Sequence, residues 1–206
     1  MPTLNPTHKG YITGTPDNTQ AAARDEASGT HTDATGAVSA AIQWFRSSGR
    51  GGGTMRYTRT FLCFDTSGVT GTVSSCALNV AGGGSYESGD VIGVKSTAFG
   101  GDGATDLHND DFNNVTFSTV YTDEIDWDKD GNNAFTLTSA ALTDIKNEDV
   151  LIIALIEADS DYPDTDTPDG AKSSGINFGG TIQLDYTLAT GYGNDVNGVA
   201  SANIGK

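Results

Sequence analysis

The sequence predicts an all-β fold: an antiparallel jelly-roll β-sandwich with one short helix and an extended C-terminal tail. Three observations carry that expectation. Period-2 alternation recurs in about eight short segments divided by Gly-, Ser- and Asp-rich connections. Only Ser139 to Ile145 has the spacing of a good helix, with Leu142 and Ile145 three apart on one side. No crossover helices lie between the strand patterns, which excludes βαβ units.

The elements follow in order. Residues 1–36 are polar, with Tyr11-Ile12-Thr13 as a short β-like patch. Gln20 to Ala27 is Ala-rich and suits one or two helical turns, but it has no apolar stripe and reads as exposed. Val38, Ala40, Ile42 and Trp44 share one parity, so Val38 to Arg46 is a strand. Met55 to Asp65 and Thr72 to Val80 are the next two. Gly51-Gly52-Gly53 and Gly82-Gly83-Gly84 read as loops. Asp90 to Ser96, Val115 to Thr119 and Asn133 to Leu137 alternate as strands. Thr138 or Ser139 is the expected N-cap of the helix. Val150 to Glu157 (VLIIALIE) is apolar at both parities, as a strand buried on both faces or central in a sheet would be. Thr181 to Leu188 closes the sandwich.

These readings divide the chain into a polar segment with a first short strand (1–36), the sandwich (37–189) and a tail (190–206). Strand parity places Trp44, Leu62, Phe64, Leu78, Val80, Phe135, Leu137, Ile153, Leu155 and Leu184 in the core. Cys63 and Cys76 fall on opposite parities relative to the apolar faces of their strands. Their thiols are therefore expected to point opposite ways, and two cysteines are too few for a disulfide scaffold or a Cys-rich zinc site.

Charge narrows the function classes. Lys and Arg number 11 against 27 Asp and Glu, for a net charge of −16. Nucleic acid and anionic membrane surfaces would repel such a chain. No run approaches 18 apolar residues, so no spanning helix and no membrane insertion is expected. The opening Met1-Pro2-Thr3-Leu4-Asn5-Pro6 has neither the basic nor the apolar region of a signal peptide.

Few constellations point to chemistry. Asp126-Trp127-Asp128-Lys129-Asp130-Gly131-Asn132 matches the first half of a calcium loop, in which Asp126, Asp128, Asp130 and Asn132 would wrap Ca2+ in oxygen ligands. The acidic residue that closes such a loop is replaced by Leu137, and a polar hairpin turn is the competing reading. Trp127 is the one aromatic placed to stand exposed in a polar loop and stack on a sugar ring. Asp159, Asp161, Asp164, Asp166 and Asp169 form a second acidic run, and Asp102, Asp106, Asp110 and Asp111 a third; both read as solvated loops. His8, His31 and His108 are isolated from each other and from cysteine. There is no G-x-S-x-G, no phosphate-binding glycine motif before a helix, and no carboxylate pair with a distinctive context. The expectation is a protein that is not an enzyme.

Three stretches resemble a known family. They are Arg59-Thr60-Phe61-Leu62-Cys63-Phe64-Asp65 with Val73-Ser74-Ser75-Cys76-Ala77-Leu78-Asn79-Val80, then Asn133-Ala134-Phe135-Thr136-Leu137-Thr138-Ser139-Ala140-Ala141-Leu142, and Thr181-Ile182-Gln183-Leu184-Asp185-Tyr186-Thr187. Together they are similar to the signature of DNRLRE-like β-sandwich domains, relatives of carbohydrate-binding jelly rolls. The usual basic–acidic pair after VLIIALIE is replaced by Ala158-Asp159-Ser160-Asp161. Such domains occur among structural proteins of marine tailed phages, and the tail VNGVASANIGK resembles a repeat at the ends of such proteins. The resemblance implies a virion protein, made in a host cytoplasm without a signal peptide: a capsid decoration, fibre or tail component. Its partners would be itself and other virion proteins such as the major capsid protein. The alternative it implies is a carbohydrate-binding module, calcium-dependent or not, for glycan attachment. Val196, Val199 and Ile204 are too few to bury a core alone, so the tail is read as an intermolecular assembly arm.

Overall fold

A computed structural model describes residues 1–32, 35–48, 53–87, 89–166 and 169–190. Its strands are β1 (Thr3–Leu4), β2 (His8–Gly14), β3 (Gly29–Thr32), β4 (Ala37–Arg46), β5 (Met55–Asp65), β6 (Val73–Glu87), β7 (Asp90–Ser96), β8 (Val115–Val120), β9 (Ile125–Asp126), β10 (Asn132–Thr136), β11 (Val150–Glu157), β12 (Gly170–Asn177) and β13 (Ile182–Leu188). Helix α1 (Gln20–Arg24) follows β2, and α2 (Ser139–Asn147) follows β10. The strand pairings are antiparallel throughout. The all-β sandwich read from the alternation is the fold observed.

One sheet runs β1–β13–β6–β10. The other centres on β5 and β11, whose residues pair from Val150 opposite Asp65 to Leu155 opposite Thr60. Strand β7 flanks β11, and β8 and β9 flank β7. Strand β2 pairs Thr58 to Cys63 of β5. It overlaps β11 there, so the two strands must lie on opposite edges of β5. The second half of β6 pairs β12, which pairs β4, and this joins the sheets.

The alternation of β5 and β11 feeds two separate cores. Leu62, Phe64, Leu151, Ile153 and Leu155 face inward and meet Leu78, Val80, Phe135, Leu184 and Ile145 of α2 between the sheets. Phe61, Cys63, Ile152, Ala154 and Ile156 face outward. That outer side is buried too. It is roofed by Ala23 of α1, by Ala98 and Phe99, and by Leu107 and Phe112 of the segment before β8. An apolar run at both parities therefore has a partner layer on each face.

Several expectations change in detail. Residues 1–36, read as a polar segment ahead of the sandwich, contribute β1, β2, β3 and α1 to it, because β2 closes an edge of β5. The Ala-rich turn read as exposed is α1, whose Ala23 is fully buried. Strand β6 does not stop at Val80. It continues through the glycines, where a Cβ on Gly82 would sit 2.3 Å from the Asp128 carbonyl oxygen, so only glycine lets the 127–131 turn lie across it. Strand β12 escaped the sequence because Lys172, Ser173 and Ser174 carry no apolar alternation. Trp44 is buried as expected, but in the outer core with Met55 and Tyr57. Thr138 is the N-cap residue of α2, yet its hydroxyl donates to the Val120 carbonyl at 2.7 Å and does not cap the helix.

Candidate functional site

The loop read as half a calcium site folds as a self-satisfied turn. Asp128 Oδ1 accepts from the Asp130 backbone N–H at 2.9 Å. Asn133, buried beneath, accepts from the Asp128 N–H at 2.8 Å and donates to the Asp128 carbonyl at 2.9 Å. Lys129 pairs with Asp130 at 2.5 Å. Asp126 belongs to β9, opposite Asp90. Among the described residues no three His, Cys, Asp or Glu side chains come together to hold a metal. Asp126, Asp128 and Asp130 therefore form no such group, and the Asn132 amide donates instead to the Asn79 side chain. Backbone and amide hydrogen bonds close this turn. Asn133 is the residue the sequence did not single out. Its signal was its parity, which it shares with Phe135 and which sends it inward.

Trp127 is a correction. It is 2% exposed, its indole N–H donates to the Gly175 carbonyl at 3.1 Å, and its ring sits 6.3 Å from that of Phe135. No face of it is open for a sugar. The polarity of its neighbours suggested exposure, but the pairing of β9 with β7 turns the next side chain into the core.

The acidic run after β11 is not uniformly solvated. Asp161 is buried against Arg59, which is 0% exposed. Arg59 Nε and Nη2 grip both carboxylate oxygens at 2.8 and 2.7 Å. Its remaining bonds go to the carbonyls of Phe112 and Arg24, at 2.9 and 2.8 Å. Arg24 Nε reaches the Asp161 carbonyl at 2.6 Å. The Arg24 guanidinium lies 3.7 Å over the Phe117 ring, and that of Arg59 lies 4.3 Å over Phe112.

One turn away, Glu157 accepts from the backbone N–H groups of Asp159, Ser160 and Asp161, at 3.0, 2.8 and 3.3 Å. Burial pushes its carboxyl up to about 7, against the pull of those three hydrogen bonds. Ser160 bonds the Tyr57 hydroxyl at 2.7 Å. The sequence named Arg59 and Asp161 separately; nothing in their spacing, 102 residues apart, said that they pair. Asp159, Asp164 and Asp166 of the same run are exposed, as expected.

A smaller cluster lies at the other end of β11. Asp144 of α2 accepts from Lys95 Nζ at 2.8 Å and from the Tyr121 hydroxyl. Burial raises its carboxyl, but these two donors outweigh that and hold it below the usual carboxylate range. The three side chains border a surface cavity of about 250 Å³ with Glu148 and Thr97. In the third acidic group, Asp111 is buried and accepts from the His108 and Phe99 N–H groups, pinning the layer before β8. Asp102, Asp106 and Asp110 are exposed. Cys63 and Cys76 are free and lie in different cores, as their parity required.

The buried clusters spend their donors and acceptors on one another. Chemically they are fasteners, with a bidentate ion pair, a carboxylate capping a turn, and cations over rings. The assembly arm with Val196, Val199 and Ile204 lies outside the described residues. No protein-family model matches the chain, and no curated protein matches it.

Proposed function

We propose that this chain is a non-enzymatic structural protein of a phage particle, a capsid decoration, fibre or tail component that acts by assembling with itself and with other virion proteins. The observation that carries the assembly part is the placement of its exposed apolar side chains. Among the described residues the large exposed hydrophobics are Met1, at 87%, and Leu188, at 38%. They belong to one rim of the sandwich. The Thr187 hydroxyl touches the Met1 sulfur at 3.5 Å, and Leu188 ends β13, from which residues 190–206 continue. Exposed apolar groups beside the start of a weakly apolar tail suit protein contact better than they suit solvent. The virion part rests on the resemblance of the strand motifs and the tail. The calcium-assisted glycan reading has lost its aromatic platform with the burial of Trp127.

The test is the composition of purified particles. A fixed copy number per particle, lost on deleting residues 190–206 while the isolated protein keeps its Tm, supports the reading. A protein absent from particles, or a clear hit on a glycan array with no particle association, overturns it.

A further inference from the structure

We propose that residues 158–166, the strap that follows β11 and lies over the outer core, form a proton-operated latch, closed while Glu157 holds a proton and opening locally when that proton leaves. The inference goes beyond the assembly reading and does not depend on it.

The strap is a cover. Its Ala158 and Tyr162 pack on the outer core, and its Ser160 and Asp161 are fully buried. Ser160 bonds Tyr57, and Asp159 meets Lys172. Tyr57 of β5 and Lys172 of β12 stand on either side of Trp44 of β4 in the strand register. The strap therefore crosses the end of the outer core where Trp44 is buried.

The strap is held by charge, and the charges balance except at its root. Asp159 meets Lys172, and Asp161 meets Arg59. Asp164 lies 3.8 Å from Arg24, and Asp166 lies 2.9 Å from Arg46. Each of these carboxylates thus has a cation. Glu157 has none among the described residues. It is 2% exposed, and it accepts only from the backbone N–H groups of Asp159, Ser160 and Asp161.

The groups around Glu157 do not supply the missing charge. Asp159 and Asp161 face it from the strap, Asp90 from β7, Tyr57 from β5 and Lys172 from β12. Lys172 is committed to Asp159, and Arg24 and Arg59 are committed to Asp161. A carboxylate taken from water without a cation, beside other carboxylates, is disfavoured in its charged form. Protonated, Glu157 escapes that penalty, and its oxygens keep capacity to accept from the strap. Ionised, it regains hydration only when the strap lifts. Burial raises the carboxyl to about 7, which sets the exchange near neutrality.

The backbone favours the same movement. Asp164 is held at φ 57, a left-handed conformation that costs a non-glycine residue energy and is released when the strap lifts. The sign follows from linkage. The proton stabilises the closed strap fully below about pH 4.5, and that advantage is lost as pH rises through about 7. The open population should therefore grow at least tenfold between about pH 5 and pH 8 and level off above.

Amide hydrogen exchange of the full chain over that range, corrected for the intrinsic pH dependence of exchange, tests this. The N–H groups of Asp159, Ser160 and Asp161 should lose at least tenfold in protection. At every pH they should exchange at least tenfold faster than those of Leu62 to Phe64 in β5, which marks local opening and not global unfolding. In Glu157→Gln the pH dependence should vanish. Asp159→Asn, which removes a neighbouring acid and frees Lys172, should move the midpoint to lower pH, and it serves as the second variant if Glu157→Gln folds poorly. Strap protection that is flat with pH, that equals that of β5, or that keeps its pH dependence in Glu157→Gln overturns the proposal. So does an unmoved midpoint in Asp159→Asn. None of these results touches the virion reading, which stands or falls on the particle composition.

Discussion

The two outer faces of this sandwich start from similar strands and end differently. On the β5–β11 side the outward residues are Phe61, Cys63, Ile152, Ala154 and Ile156, and a helix and a long loop segment fold back over them. On the β6–β13 side the outward residues are Ala77, Asn79, Gln183 and Asp185, and no element among the described residues roofs them. The difference teaches where a cover is obligatory. An apolar outward face stabilises the fold only once it is taken from water, at roughly 25 cal/mol per Å². A polar one gains nothing from a cover. The cover itself is polar and acidic, so it cannot rest on hydrophobicity alone. Arg59–Asp161, Glu157 and Asp111 fasten it.

The comparison can be broken at its strongest point first. Asp161→Ala leaves the Arg59 guanidinium buried without its partner and should cost about 3–5 kcal/mol in urea unfolding. The double variant Arg59→Met with Asp161→Leu should recover much of that, because the pair's desolvation cost leaves with it. A loss below about 1 kcal/mol for Asp161→Ala would mean that the roof is not held by this pair. Leu78→Ala and Leu155→Ala in the core shared by both sheets should each cost about 2–5 kcal/mol, since the surroundings of a fully buried side chain collapse only in part. Equal costs on either side of the sandwich would confirm that this core belongs to neither face.

Acidity sharpens the contrast further. The Glu157 carboxyl is raised from 4.5 to about 7 in the folded chain. Its contribution to stability is therefore complete below about pH 4.5 and is lost as pH rises through about 7. Relative to Glu157→Gln, the wild type should lose stability between pH 5 and pH 8; parallel Tm curves for the two would remove Glu157 from the account. On the unroofed face the effects should be small. Asn79→Ala, at a half-buried position whose amide bonds Asp185 and Asn132, should cost about 0.5–1.5 kcal/mol. A cost of several kcal/mol would show that these side chains hold the sheet together. Smallest of all, millimolar calcium should leave the Tm unchanged, because Asp126, Asp128 and Asp130 are not brought together. A rise of several degrees would show that the turn reorganises around the ion.

By itself the sequence determined the fold class, most strand positions and the contents of the main core. All ten residues placed there by parity are buried, nine of them in the main core and Trp44 in the outer one, since a side-chain period of two is a local property of the backbone, whereas which layer covers a face is not. The opposed cysteines were legible for the same reason. Other features depended on what each segment meets in space. A glycine run can be loop or strand, and Gly82 is strand because a turn crosses it within contact distance. Trp127 sits among carboxylates in the chain and among apolar side chains in the fold. Ser173 and Ser174 form β12 because β4 and β6 offer hydrogen bonds on both of its sides, a demand their own side chains do not express. The tertiary structure decided which segments cover VLIIALIE on its outer side, namely those within 1–32 and 98–117. The physical reason is common to these cases. Alternation is written in neighbours along the chain, whereas burial of a polar group is decided by a partner brought from far away, as Arg59 is for Asp161.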